Sequence, residues 1–179
     1  MGLKKNSELL QIGGSITQAS VNAPSEIEIT LPLSTLDREV FVITDLIMDV
    51  DFPQIEEGTN SRVFAQVTKR SNLDASGDVL FKAINDSDLV GRIDERVLYP
   101  SPTAMDYVRT SSYDNYMHTT GTSMDNLGIL ATPNFYIAIN SVGTNTQSLK
   151  GAYVRLHGYR AKADAATYAA LVSSEVLSS

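Results

Sequence analysis

The chain has 179 residues, of which 42% are hydrophobic, and 14 basic against 21 acidic residues give a net charge of −7. A chain of this length fits one sandwich domain and buries about 70% of its unfolded surface, so it needs no metal or disulfide to fold. The absence of cysteine excludes a disulfide scaffold, a thiol nucleophile and a cysteine-ligated zinc site. The acidic balance argues against direct nucleic-acid binding, whose affinity comes from neutralising phosphates.

The N-terminal segment, residues 1–14, is predicted to be an arm or a short edge element that ends at Gly13–Gly14. No apolar core follows Lys4 and Lys5, so we expect no signal peptide. No apolar run approaches the roughly 20 residues that span a bilayer, so we expect no transmembrane segment. Residues 15–20 are a polar strand candidate, and 26–33 alternate cleanly between apolar and polar positions, as a half-buried strand does.

The longest strand is predicted over residues 38–52 and is the centre of the fold. Its apolar residues at even positions, from Val40 to Phe52, are expected to share one buried face, because strand side chains alternate between two faces. The odd face begins with Phe41 and Ile43 and then becomes acidic. The short connection to residues 62–70 favours an antiparallel pairing of these two strands.

The remaining strands are predicted from alternation and turn residues. Residues 89–99 fit either a helical turn or a strand, and 111–112 are expected to form a kink. The later strand candidates are 79–84, 97–99 with 105–110, 113–119, 134–142 and 150–162. Together they predict an all-β fold, a two-sheet antiparallel sandwich over residues 15–163.

One helix is predicted, in a C-terminal tail over residues 164–179. Asp164 is a suitable N-cap, and Ala165 to Leu177 carry an apolar stripe. The stripe is expected to bury against a neighbouring subunit or against the edge of the sandwich. Its members are Tyr168, Leu171, Val172 and Val176.

Charge is unevenly distributed along the chain. Residues 45–57 carry five carboxylates and no base, whereas residues 150–162 carry four bases and no acid. Either both are solvated faces, or they are complementary patches that meet between subunits. In the second case Arg155, Arg160 and Lys162 would contact a neighbour.

Paired carboxylates are the chief candidates for chemistry. Asp49 and Asp51 share a face about 7 Å apart, a spacing compatible with a glycosidase pair or, with Glu56 and Glu57, with calcium. The ordinary alternative is that these acids solubilise a strand end, in which case no cofactor is bound. Residues 85–88 are a second calcium candidate.

No other catalytic motif is found in the sequence. The two histidines, His118 and His157, lack zinc spacing, and there is no nucleophile elbow, P-loop or dinucleotide fingerprint. Tyrosines cluster near residue 113 and could form a sugar-stacking platform. This platform would consist of Tyr107, Tyr113 and Tyr116 with Asn115.

The layout resembles a small single-jelly-roll viral coat protein, with its N-terminal arm, strong early strands, long polar loop over 111–133 and terminal helix. The resemblance implies a non-enzymatic protein that assembles with copies of itself, and with other virion proteins, into a shell. It implies a virion location after assembly in the host cytoplasm. The arm departs from that of coat proteins that package nucleic acid, because it is not basic. The alternatives are a lectin-like carbohydrate-binding module and then a glycoside hydrolase.

Overall fold

The computed structural model describes residues 3–54, 60–98, 108–114, 127–143 and 148–177, and describes only the backbone of 108–114, 176 and 177. Within these ranges the chain forms ten strands and one helix. They are β1 (Leu3–Lys5), β2 (Leu10–Thr17), β3 (Ser25–Thr30), β4 (Glu39–Val50), β5 (Asn60–Thr68), β6 (Leu89–Leu98), β7 (Val108–Asp114), β8 (Gly128–Leu130), β9 (Asn134–Gly143), β10 (Gly151–Ala163) and α1 (Ala165–Leu177).

The strands form two antiparallel sheets with the topology of a jelly roll. The first sheet has the order β2-β10-β4-β8, with β1 beside β2 on the same edge of β10, and the second has the order β3-β9-β5-β6-β7. The chain changes sheet at every connection from β2 to β5 and at every connection from β7 to β10. Such crossing connections distinguish a jelly roll from a meander. The predicted all-β, two-sheet antiparallel fold with a short C-terminal helix is confirmed.

The core fills the space between the two sheets. Alternate apolar residues of β5, β9 and β10 are buried in it. The largest fully buried side chains include Phe41, Phe135 and Leu156. Burying an aliphatic or aromatic side chain of this size contributes about 1.5–3 kcal/mol, so this layer is the main stabilising element.

A β-bulge at Thr44 corrects the prediction for the long strand. Opposite β10, Asp45 pairs with His157 while Ile43 pairs with Gly158, so Thr44 is an extra residue on β4. Because of the extra residue, odd-numbered side chains point inward before Thr44 and even-numbered side chains point inward after it. Phe41 and Ile43 therefore face the main core together with the later even residues Leu46, Met48 and Val50.

The even residues before the bulge point out of the sandwich instead. Val40 and Val42 belong to a second apolar cluster with Ala131, Ala161 and Ala163 on the outside of the first sheet. At the other end of the predicted strand, Phe52 is 40% exposed. One continuous buried even face, Val40 to Phe52, is therefore wrong.

The predicted pairing of the long strand with residues 62–70 is also wrong. β5 pairs with β6 and β9 in the second sheet, whereas β4 lies in the first. The short connection spans the sandwich rather than turning within one sheet.

Residues 79–84 do not form the predicted strand, apart from an isolated bridge between Leu73 and Val79. Their segment contacts the outer face of the second sheet, where the rings of Phe64 and Phe81 pack edge to face with centroids 4.6 Å apart. Asn72 donates its side-chain N–H to the Glu26 carboxylate at 2.6 Å. The segment thereby covers outward residues of β5 that would otherwise meet water.

Three other predictions are revised by the strand boundaries. The N-terminal segment is an edge element, and β2 continues through Gly13–Gly14 because these residues pair with Arg155 and Val154. The ambiguous segment 89–99 is strand β6, and β7 passes through 111–112 without a break. Residues 115–119 of the predicted strand lie outside the described residues.

The helix has the predicted bounds and cap. The backbone N–H of Thr167 donates to the Asp164 carboxylate at 2.7 Å, which satisfies a free donor of the first turn. This bond lowers the pKa of Asp164. The helix packs on the second cluster, so it covers one end of the outer face of the first sheet.

Candidate functional site

Parts of the acidic segment, residues 45–57, and of the basic segment, residues 150–162, lie side by side within one chain. β4 and β10 are adjacent antiparallel strands, so Asp45 lies opposite His157, with Oδ2 and Nδ1 3.2 Å apart. Two of the bases pair instead with carboxylates that precede the acidic segment, since the Arg160 guanidinium lies 3.7 Å from Glu39 and the Lys162 ammonium 3.9 Å from Asp37. This adjacency within one chain does not test the predicted contact of the two segments between subunits, which stays a prediction.

The aspartates on β4 and at its end hold the local backbone. Asp45 and Asp49 each accept the backbone N–H of the following residue at 2.9 Å. Asp51 accepts the N–H of Gly151 at 2.7 Å, across the strand pair. A carboxylate that accepts backbone donors has a structural role independent of any ligand.

The predicted calcium site stays a prediction. Within the residues that the structure describes, no three side chains of the metal-binding types come together around one point. Glu56 and Glu57 lie outside the described residues. In the second candidate, Asp86 accepts the N–H of Asp88 at 2.9 Å, and Asp88 pairs with Arg70 at 2.9 Å. These contacts are typical of a turn that is stabilised by its own carboxylates.

The apolar stripe of the helix is used inside the chain. Tyr168, Leu171 and Val172 are half-buried against the second cluster. The side chain of Val176 lies outside the described residues. Among the predicted basic interface residues, Arg155 is exposed on the outer face of β10. Contact of this set with another subunit stays a prediction.

Glu175 anchors the end of the helix and was missed from sequence. It is only 3% exposed, and its two carboxylate oxygens accept the backbone N–H groups of Ala131 and Thr132 at 2.9 and 3.0 Å. Arg70 donates to the Glu175 carbonyl at 2.9 Å. A glutamate four residues after Leu171 and three after Val172, hence on the apolar stripe, was the available signal.

The other half of the outer face of the first sheet is uncovered. Beyond the bulge, Ile47 is 46% exposed and Tyr153 is 50% exposed, and both point away from the core. Gly13 and Ser15 of β2 lie opposite Arg155 and Tyr153. Small residues beside exposed apolar ones make this a flat, mixed surface, which we call the open face.

The predicted tyrosine platform cannot be located. Tyr107, Tyr116 and Asn115 lie outside the described residues, as does His118. Tyr113 is in β7, where only the backbone is described. Another tyrosine, Tyr136, lines a polar cleft, and burial together with Glu28 raises its pKa.

None of the helices in the described part of the chain is long and apolar enough to cross a membrane. No protein-family model matches the sequence, and no curated protein matches it. Among solved structures, the chain is similar to VP1 of Merkel cell polyomavirus, determined in complex with GD1a oligosaccharide. The two share 10% sequence identity over 92% of this chain and 99% of that chain, with a TM-score of 0.42.

Proposed function

We propose that this protein is a non-enzymatic structural subunit that assembles with copies of itself into a shell, as a viral capsid or capsid-associated protein. The observation that carries the proposal is a jelly roll whose interior is filled by its own side chains. Jelly rolls serve as capsid subunits, lectins and cupins. A cupin binds its ligand inside the sandwich, and here that space holds residues such as Phe41, Phe135 and Leu156.

The open face supports assembly as the function. Apolar side chains exposed together on a flat sheet are commonly covered by a partner. Ile47 and Tyr153 lie at the centre of this face, flanked by Asp49 and Arg155 on the same two strands. The aspartate and arginine could pair with their counterparts on a second copy, since a twofold contact presents the same patch from both sides.

The shell proposal is tested by the size of the purified protein. Sedimentation velocity and negative-stain electron microscopy are carried out with and without calcium, which also tests the calcium candidates Asp49 and Asp51. We expect large closed particles, or discrete oligomers that form them at higher protein concentration. A monodisperse monomer under every condition would contradict the proposal.

Two variants test the open face. Ile47→Lys and Tyr153→Lys each place a charge on that face, and we expect either to shift the protein toward smaller species without loss of folding. Ser76→Lys places the same charge on an exposed turn and serves as the matched control. Equal assembly of all three variants would exclude this face as a contact.

In this proposal the protein is located in the virion after assembly in the host cytoplasm, and its partners are copies of itself and other virion proteins. Direct contact with the other virion proteins is tested by co-sedimentation with purified particles. The proposed non-enzymatic role assigns a structural part to the carboxylates of β4, because Asp45 and Asp49 accept backbone N–H groups.

A carbohydrate-binding module is the alternative function. It is favoured by the polar cleft of about 300 Å³ where the end of the helix meets β9, lined by Lys69, Ser71, Asn134 and Tyr136 among others. An aromatic ring beside amide and hydroxyl groups is a common way to hold a sugar. Glycan-array binding that is lost in Tyr136→Ala would support this function, and an array without hits would exclude it.

A further inference from the structure

β2 is an edge strand of the first sheet, and one side of its backbone is open. Within the described residues, β2 pairs only with β10. Just after β2, the N–H of Gln18 donates to the carbonyl of Lys150 at 2.9 Å, so the even-numbered residues of β2 bond to β10. The N–H and C=O groups of the odd-numbered residues therefore point off the sheet. These residues are Gln11, Gly13, Ser15 and Thr17.

β2 lacks the features that protect sheet edges from other chains. It is eight residues long and contains no charged residue and no proline. The other described edge strands are either short, as in the three residues of β8, or charged. Short strands and edge charges are common protective devices, because an unprotected edge is a template for another strand. The charged edge residues are Lys4 and Lys5 of β1, Glu26 and Glu28 of β3, and Arg109 and Asp114 of β7.

The open edge of β2 is complementary to the same edge of a second copy. An antiparallel pairing around a twofold axis at Gly14 places Gln11 opposite Thr17 of the other copy. In the same register Gly13 lies opposite Ser15, so every outward N–H and C=O group of β2 finds a partner. An axis shifted to Gly13 or Ser15 would leave one of these residues without a partner inside β2.

The side chains are compatible on both faces of the sheet in this register. On the inner face, Ile12 of each copy lies opposite Ile16 of the other, and in each copy both residues pack in the main core. On the outer face, Gly13 lies opposite Ser15, and the remaining pair is polar and uncharged. Apolar pairs across strands stabilise a sheet, whereas like charges in opposite positions destabilise it. The sequence of β2 therefore favours pairing with itself on both faces.

We propose that β2 pairs with β2 of a second copy around a twofold axis at Gly14, so that the first sheet continues across two subunits. The inference rests on the proposed self-assembly and deepens it, because the partner is this chain itself. A single twofold contact closes on itself and yields only a dimer. A shell that uses the open face therefore needs a second contact, and β2 borders that face through Gly13 and Ser15.

Disulfide crosslinking of the full chain tests the register, because the chain has no cysteine of its own. Gly13→Cys and Ser15→Cys are prepared separately, and a Cβ at Gly13 would lie 3.9 Å from its nearest contact, so a side chain fits there. In the proposed register, Gly13 and Ser15 of the two copies have Cα atoms about 5.5 Å apart, which a disulfide spans. Identical positions are diagonal neighbours about 7–8 Å apart, too far for a disulfide. We expect an equimolar mixture to form crosslinked dimers faster than either variant alone.

A proline variant tests the hydrogen bonds of the same edge. Ser15→Pro removes an N–H that points off the sheet, a position at which edge strands tolerate proline. Thr30→Pro is the matched control, because Leu31 donates to Pro133 at 2.7 Å and the N–H of Thr30 therefore points off the edge of β3. By sedimentation velocity, we expect Ser15→Pro to raise the dimer dissociation constant about tenfold, since two bonds are lost per dimer, and Thr30→Pro to leave it unchanged. Ser15→Lys is a second variant that keeps the backbone and adds a protective edge charge.

Failure of this inference is distinguishable from failure of the shell proposal. The pairing is overturned, even if large particles form, when the mixture crosslinks no faster than the single variants. It is also overturned when the mixture crosslinks no faster than Gly13→Cys mixed with Ser76→Cys, whose cysteine lies on an exposed turn. An unchanged dissociation constant in Ser15→Lys would overturn it as well. Rapid crosslinking of the mixture in a protein that never exceeds a dimer would support the pairing and contradict the shell.

Discussion

Gly158 lies opposite the bulge of β4, and its replacement by alanine gives the sharpest test of that feature. A Cβ atom built at this position would lie 2.3 Å from the carbonyl oxygen of Val42 and 2.7 Å from two ring carbons of Phe41. The oxygen belongs to the backbone of a paired strand, so it cannot move without disturbing the ladder. The Phe41 ring is fully buried and has no free space to move into.

We expect Gly158→Ala to destabilise the protein by about 2 kcal/mol, the middle of the range for overpacked cores. For a chain of this size, this corresponds to a fall in Tm of about 4–8 °C. Gly13→Ala is the matched control, because Gly13 lies in the neighbouring strand and its nearest contact would be at 3.9 Å. Alanine there should be neutral, or stabilising by up to about 1 kcal/mol.

The assay is equilibrium unfolding in urea, followed by far-ultraviolet circular dichroism. A double variant with Phe41→Leu should lose less stability than the sum of the two single changes, because the smaller side chain makes room for the new methyl group. Equal stability of Gly158→Ala and Gly13→Ala would refute the reasoning. Phe41 would then not lie across Gly158, and the register that defines the bulge would be incorrect.

Three further predictions concern contacts outside the main core. Glu175→Gln should lower the free energy of unfolding by about 1–3 kcal/mol in a urea titration, because one of the buried N–H groups of Ala131 and Thr132 loses its acceptor; an unchanged midpoint would show that the helix end is not anchored there. Burial raises the pKa of Asp94, but the hydrogen bonds and charges of nearby arginines outweigh it and hold the pKa below 3.8. Ionised Asp94 therefore stabilises the fold at pH values above its pKa in the unfolded chain, and this stabilisation is lost as the pH falls through its pKa in the folded protein. Asp94→Asn should flatten the acid limb of a stability–pH curve. An identical limb would contradict this. Phe81→Ala should lose about 0.5–1.5 kcal/mol and speed proteolysis of residues 71–86, as the ring contact with the second sheet is removed; an unchanged cleavage rate would contradict it.

The elements that the sequence predicts well are those in which local preference and burial agree. The helix is Ala-rich and follows a good N-cap at Asp164, so both of its ends could be placed. β9 alternates without interruption, since one face is core and the other is not. In these segments no distant contact competes with the local pattern.

The bulge and the sheet assignment could not be predicted, because both depend on partners far away in sequence. Nothing in Ile43-Thr44-Asp45 marks an extra residue. Thr44 has no partner residue only because of how β4 pairs with β10, more than a hundred residues later. The crossing of the chain from β4 to β5 has the same origin, since a short polar loop serves a hairpin as well as a crossover. The failed strand at 79–84 has the composition of a strand but is held by contacts with the second sheet.

The candidate site was predicted in composition but not in arrangement. The acidic and basic segments were recognised as complementary, but their adjacency on β4 and β10 within one chain was not predicted.

The bulge also divides the apolar side chains of β4 between two separate clusters. Side chains on one side of β4 belong to the main core, whereas Val40 and Val42 belong to the second cluster beneath the helix. Detachment of the helix would expose that small cluster and leave every strand pair of both sheets in place. We therefore expect native-state hydrogen exchange to show α1 opening as a separate foldon, at a lower free energy than the amides of β9 and β10.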